Sequence, residues 1–71
     1  MVDLGMRKES VRLAISQLTD EQRDVLALAY FQGYTQSEIA QLRDLPLGTV
    51  KTRIRSGIQK LRKLLQEEEF T

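Results

Sequence analysis

Apolar residues in the second half of the chain recur at the spacing of one helix face. They follow one another at steps of four, four, three and four, at Val50, Ile54, Ile58, Leu61 and Leu65. This spacing predicts a helix that begins at Leu47 and packs an apolar stripe inward. Most residues between the stripe positions are polar or basic, so the opposite face of this helix is predicted to be cationic.

Two capping boxes mark the starts of two earlier helices. Thr19 is followed three residues later by Gln22, and Thr35 by Glu38, so each threonine can cap a helix while the later side chain reaches back. The helix after Thr19 carries apolar residues around most of its circumference and is predicted to end before Gly33. We therefore expect this helix to be the buried centre of the domain. Its aromatic residues Tyr30 and Phe31 are predicted to lie in the core, and Tyr34 is predicted to staple onto Ile39 of the following helix. The alternative is that one of the three is exposed for a partner.

The helix after Thr35 is short and leads into a tight turn. Its inward-facing residues are predicted to be Ile39, Ala40 and Leu42. We expect it to end near Leu42 or Arg43, because Asp44 tolerates a left-handed conformation and Pro46 stops a continuation. Pro46 can also start the next helix.

The pattern as a whole predicts an all-α fold. A first helix is predicted from Met6 to about Gln17, and no segment alternates with the period of a strand. The domain is therefore predicted to have four helices, the last two forming a helix-turn-helix without a wing. Residues 1–5 are expected to be a disordered start, residues 6–66 the helix-turn-helix domain, and residues 67–71 an acidic tail.

Charge is strongly segregated along a chain whose net charge is only +1. Residues 1–46 carry a charge of −2, residues 47–63 carry +6 with no acidic residue, and the last eight residues carry −3. A local positive face can bind a polyanion even on a nearly neutral protein. The predicted helix after Leu47 is thus a candidate for contact with nucleic acid.

Composition argues against several other classes of function. The chain has no cysteine and no histidine, which removes thiolate nucleophiles, imidazole bases and most zinc sites. The acidic cluster of Asp20, Glu21 and Asp24 has no partner base, so we expect no enzyme, no metal and no cofactor. Apolar runs are too short for a membrane span or a signal peptide, which favours a cytoplasmic protein without a small-molecule substrate.

The turn and the basic helix supply the groups that bind DNA. Gly48 leaves room for close approach of a phosphate, and the backbone N–H groups at the helix start favour an anion. Hydroxyl, ammonium and guanidinium groups on this helix can bind phosphates and guanine edges in the major groove. The candidate DNA-binding residues are Gly48, Thr49, Lys51, Thr52, Arg53, Arg55, Ser56 and Lys60.

Three segments of the chain resemble region 4 of bacterial sigma-70 family factors, and within them the extracytoplasmic-function group. They are residues 18–23, residues 33–40, and residues 45–54 with the run Pro-Leu-Gly-Thr-Val-Lys-Thr-Arg. The resemblance covers about residues 7–65. It implies that the last helix binds the minus-35 element of a promoter in transcription initiation. It also implies docking on the β flap of RNA polymerase and, in many relatives, sequestration by an anti-sigma factor.

The chain departs from that family pattern at two places. Asp44 stands where the family usually has glycine, and Ser56-Gly57 stands where it often has Arg-Ala. Since a DNA-contacting arginine is then absent, Arg55 or Lys60 is expected to compensate. Gly57 within a helix costs about 1 kcal/mol relative to alanine, which suggests close approach to a neighbour. Nothing resembles region 2, so the chain is expected to be part of a longer sigma factor.

Two alternative functions remain open from the sequence. A LuxR-type response-regulator output domain has a similar motif, but it typically carries histidine where Arg53 stands and lacks the Pro-x-Gly run. A protein-interaction module is suggested by the apolar stripe, although the stripe lasts less than two heptads. Binding of a polymerase subunit or an anti-sigma factor is compatible with binding of DNA.

Overall fold

The computed structural model describes the backbone of residues 2–70 and the side chains of residues 9–66. Residues 2–70 form four helices: α1 (Val2–Ser16), α2 (Asp20–Tyr30), α3 (Gln36–Arg43) and α4 (Leu47–Phe70). No strand is present in residues 2–70, so the prediction of an all-α, four-helix fold is confirmed.

The outer helices are longer than predicted. α1 begins at Val2 instead of Met6, so its backbone includes residues expected to be disordered. α4 continues to Phe70, through the residues expected to form an acidic tail. Neither extension contains a proline. The α4 extension also contains no glycine, and the α1 extension accommodates the single Gly5. The side chains of residues 1–8 and 67–71 lie outside the described part, and the limits of the domain remain a prediction.

Both predicted capping boxes are present. The backbone N–H of Gln22 donates to Thr19 Oγ1 at 3.1 Å, and Thr19 N–H donates to Gln22 Oε1 at 3.1 Å. The equivalent distances between Thr35 and Glu38 are 3.1 and 2.8 Å. Four backbone N–H groups at two helix starts are thereby satisfied, which fixes where α2 and α3 begin.

The turn between α3 and α4 has the predicted left-handed residue. Asp44 adopts φ 53° and ψ 51°, and its N–H donates to the carbonyls of Ala40 and Gln41. The N–H of Leu45 also donates to the Ala40 carbonyl, at 2.9 Å. The Pro46 carbonyl then accepts from the next helix, so α3 ends and α4 begins within a few residues.

The core is built around α4 and not around α2 as expected. α4 packs against each of the other three helices. Val25 of α2, Ile39 of α3 and Val50 of α4 are each fully buried. Leu18, Leu26 and Ile54 complete the buried cluster. Because α4 carries the longest apolar stripe, it is the helix that the other three can cover together.

The prediction that Tyr30 and Phe31 lie in the core is wrong. Tyr30 is 66% exposed, Phe31 is 80% exposed and Tyr34 is 39% exposed. Leu42, predicted to face inward, is 49% exposed. In a domain of this size one face of each helix meets the core, and no second layer covers the opposite face.

Candidate nucleic-acid interface

The basic residues of α4 lie on the side of the helix away from the core. Lys51, Arg55, Lys60, Arg62 and Lys63 are all exposed, and Arg53 is half-buried. Val50 and Ile54 hold the opposite face against the core, so the cations are presented outward by the same periodicity that buries the stripe. The predicted cationic face is therefore present.

One side of this face forms a shallow depression beside the turn, which we call the turn recess. It is lined by Pro46, Gly48, Thr49, Thr52 and Arg53. A Cβ added at Gly48 would meet nothing within 4 Å, so the helix start is open to solvent there. Four of the eight residues predicted to contact DNA thus lie together in this recess.

The other side of α4 borders a second depression, which we call the basic groove. Its polar and basic lining consists of Tyr30, Gln36, Lys51, Arg55, Gln59 and Arg62, and Ile54 and Ile58 lie beneath them. Lys51 and Arg55 were predicted site residues, whereas Tyr30, Gln36, Gln59 and Arg62 were not. Helical spacing could have placed Gln59 and Arg62 on the side of Lys51 and Arg55. Tyr30 and Gln36 come from other helices, and their positions depend on tertiary packing.

The remaining two predicted residues line neither depression. Ser56 is half-buried and Lys60 is exposed. Along α4, Ser56 follows Arg53 by three residues and Lys60 follows Ser56 by four, so both lie on the side of the helix that continues from the turn recess, without lining it.

An ion pair connects α2 to the end of α3. Nε and Nη2 of Arg43 donate to the two carboxylate oxygens of Asp24, at 2.7 and 2.8 Å. Both side chains are about two-fifths exposed. Sequence reasoning missed this pair because its partners are 19 residues apart, and it grouped Asp24 with its acidic neighbours.

The surroundings of Asp24 keep it ionised. Hydrogen bonds from Arg43 lower the pKa of its carboxyl group most; partial burial opposes this by raising the pKa, and the charges of Arg43 and Arg53 lower it further. The pKa of Asp24 is therefore lowered by guanidinium groups on both helices of the helix-turn-helix. Among the described residues no group of acidic side chains could hold a metal ion.

Gly57 has a structural explanation that the sequence did not supply. A Cβ built at Gly57 would lie 2.7 Å from Leu26 Cδ1 and 3.4 Å from Leu26 Cγ. Gly57 therefore allows α2 to pack closely against the middle of α4. The departure from the family pattern at this position sets the distance between the two helices.

An apolar groove lies on the side formed by α1, α2 and α4. Its volume is about 440 Å³, and it is lined mainly by Val11, Ile15, Leu18, Leu26, Ala27, Phe31, Ile58 and Leu61. Phe31 and Val11 at its edge are exposed. In the part of the chain that the structure describes, no helix combines the length and apolar character needed to cross a membrane.

Comparison with known proteins identifies one family. Residues 14–63 match the family described as sigma-70, region 4. This segment contains α2, α3, the turn and the basic part of α4. The match favours the sigma interpretation over the LuxR-type alternative.

Individual relatives agree with this match. The chain is 43% identical over 65 residues to the ECF RNA polymerase sigma factor SigK of Mycolicibacterium vanbaalenii, covering 89% of this chain and 33% of that protein. It is 42% identical over 59 residues to the ECF RNA polymerase sigma factor RpoE of Cereibacter sphaeroides, covering 80% and 33%. It is 38% identical over 58 residues to the ECF RNA polymerase sigma factor SigW of Bacillus subtilis, covering 82% and 31%. The chain thus spans about a third of the length of these curated relatives.

Proposed function

The chain belongs to the sigma-70 region 4 family, and from this membership we propose that it is the DNA-binding domain of an alternative sigma factor. In this role it recognises the minus-35 element of promoters during transcription initiation. The parent protein acts with RNA polymerase in the cytoplasm of a bacterium, and this domain performs no catalysis.

One observation carries the proposal: α4 presents its cations outward directly after a tight left-handed turn. Asp44 closes α3, and α4 begins at Leu47 with its first turn open at Gly48. An α-helix fits the major groove of B-DNA, where base edges present distinct donors and acceptors. The second helix of a helix-turn-helix is the one that enters this groove.

We assign separate roles to the two depressions along α4. In the turn recess, Thr52 and Arg53 meet base edges while Gly48 and Thr49 approach a phosphate. In the basic groove, Lys51 and Arg55 reach the DNA backbone or a nearby base edge. Ser56 and Lys60 are assigned to the phosphates beyond the groove. A guanidinium group can bind guanine with two hydrogen bonds, which makes Arg53 the strongest candidate for reading sequence.

A second binding surface is proposed for proteins. The apolar groove beside Phe31 is the feature that favours it, because an apolar depression with an exposed aromatic edge suits an amphipathic helix. We propose the β flap of RNA polymerase as its partner, with an anti-sigma factor as a competitor for the domain. This surface lies apart from the turn recess, so both can be occupied together.

Selection from a random duplex library tests the DNA-binding proposal. The 71-residue chain is immobilised, bound duplexes are recovered at moderate salt, and the recovered sequences are compared with the input. We expect enrichment of one short motif, and binding that weakens steeply as salt increases because bound phosphates release counterions. Recovery of sequences that match the input composition would contradict sequence recognition. The variant Arg53→Ala, which lacks the proposed reading group, serves as the control.

A further inference from the structure

We propose that Asp24 is a positioning residue for sequence reading: through two hydrogen bonds it holds Arg43, and with it the turn that leads into α4, in the arrangement that discriminates between DNA sequences. The inference rests on the proposed DNA-binding function and extends it to a residue outside α3 and α4. Asp24 contacts no DNA in this role and acts through Arg43 and the turn.

The contact with Arg43 fixes the end of α3. Arg43 is the last residue of α3, and the left-handed Asp44 follows directly. Asp24 accepts hydrogen bonds on both carboxylate oxygens, at 2.7 and 2.8 Å, so the guanidinium plane is held in two places. Two parallel hydrogen bonds constrain orientation as well as distance. The pair thereby fixes Arg43, which leads into the turn, to the neighbouring helix α2.

The influence on Arg53 is electrostatic. Arg53 lies half-buried in the turn recess, and its charge is close enough to lower the pKa of Asp24. Asp24 and Arg53 form no hydrogen bond with each other, so the N–H groups of Arg53 remain available to a ligand. This attraction adds to the contact with Arg43, whose geometry carries the positioning role.

Substitution of Asp24 should affect specific and non-specific DNA binding differently, which simple charge attraction does not predict. Replacing Asp24 by Asn removes one negative charge near the DNA-binding face. This change favours phosphate binding to any sequence. The same change releases Arg43 and removes the attraction on Arg53, which disfavours the one arrangement that suits the preferred sequence. Specific and non-specific affinity should therefore move in opposite directions. A loss of folding would instead lower both.

The chain contains a matched control for this substitution. Asp20 also lies on α2 and also pairs with an arginine, Arg23, at 2.8 Å. That pair lies within one helix, and the side chain of Asp20 is 90% exposed. Asp20→Asn makes the same chemical change and the same charge change without touching the link between helices.

The experiment measures binding of the wild type, Asp24→Asn, Asp20→Asn and Arg43→Lys to two duplexes. One duplex carries the motif recovered by selection, and the other carries the same bases in permuted order. We expect Asp24→Asn to lower the ratio of the two affinities about threefold to fivefold while its affinity for the permuted duplex stays equal or increases. Arg43→Lys keeps the charge but loses the two-pronged geometry, so it should lower the ratio in the same direction. Asp20→Asn should leave the ratio unchanged.

Two results would overturn the inference. If Asp24→Asn and Asp20→Asn change the ratio equally, the link to Arg43 and Arg53 has no role in reading sequence. If Asp24→Asn lowers both affinities by the same factor, Asp24 only stabilises the fold. A wild-type chain that binds both duplexes equally contradicts the proposed DNA-reading function itself, and this inference with it.

Discussion

The turn recess and the basic groove lie on two sides of the same helix, yet they are built differently. The turn recess combines short side chains with one half-buried arginine, Arg53, whose charge lowers the pKa of Asp24 on α2. The basic groove presents long exposed cations and is bordered by Tyr30 and Gln36 from other helices. A half-buried arginine suits discrimination between bases, whereas exposed cations suit phosphates at any sequence. Charge alone therefore does not define the proposed reading surface, because the side chains that surround each charge differ.

The largest expected effect comes from forcing α2 away from α4 at Gly57. Gly57→Val places branched carbon atoms where Leu26 already lies, and we expect it to destabilise the fold by about 2–3 kcal/mol. Gly57→Ala is the control, because the terminal methyl of Leu26 can rotate and alanine gains about 1 kcal/mol of helix propensity. Chemical unfolding followed by far-UV circular dichroism measures both. Equal stability of the valine variant and the wild type would contradict the close packing.

The next effect concerns the turn recess directly. Arg53→Ala should weaken binding to the selected motif by about 1–3 kcal/mol, because a guanidinium group that reads a base edge is lost. Binding to a permuted duplex should weaken much less. Fluorescence anisotropy with labelled duplexes measures both affinities. An equal loss on the two duplexes would identify Arg53 as a phosphate contact only.

Substitutions in the basic groove should have smaller and more uniform effects. Lys51→Ala, Arg55→Ala and Arg62→Ala are each expected to weaken binding similarly on both duplexes. Each should also reduce the slope of log affinity against log salt by about one, since one phosphate contact is lost. Titrations at several salt concentrations measure this slope, with Lys63→Ala as an exposed control outside the groove. If a substitution weakened binding only to the selected motif, the replaced residue would be identified as one that contacts a base edge.

The smallest expected effect is a pH dependence of stability that arises from the ionisation of Asp24. Because hydrogen bonds from Arg43 lower its pKa in the folded state, ionised Asp24 stabilises the fold above the ordinary aspartate pKa of about 3.9. This contribution is lost as the pH falls through the lowered pKa. The wild type should thus melt slightly above Asp24→Asn near neutral pH, and the difference in melting temperature should narrow as the pH falls below about 4. If the difference in melting temperature widened in acid, the pKa of Asp24 would be raised in the folded state and not lowered.

Local features of the fold could be predicted from the sequence because they depend on neighbours a few residues apart. The capping boxes of Thr19 and Thr35, the left-handed Asp44 and the stripe through Val50 all arise within one or two helical turns. The candidate residues for DNA contact followed from the same periodicity and from the family resemblance. Their assignment to DNA remains a prediction, while their division between two depressions came from the structure.

Features that join distant parts of the chain could not be predicted in the same way. The pair of Asp24 and Arg43 depends on how α2 crosses the end of α3, and sequence spacing does not contain that angle. The exposure of Phe31 depends on which faces of α2 the other helices cover. Gly57 could be recognised as unusual within a helix, but the partner that makes it necessary lies on another helix.

The close approach of Gly57 to Leu26 also limits how this domain can diverge. A methyl group added at one position occupies the volume that a methyl group at the other now fills. Descendants that gain a side chain larger than alanine at position 57 must therefore shrink the residue at position 26 or tilt α2 away from α4. Tilting α2 would carry Asp24 with it, so under the role proposed for Asp24 such a change in the core would alter which DNA sequences the surface prefers.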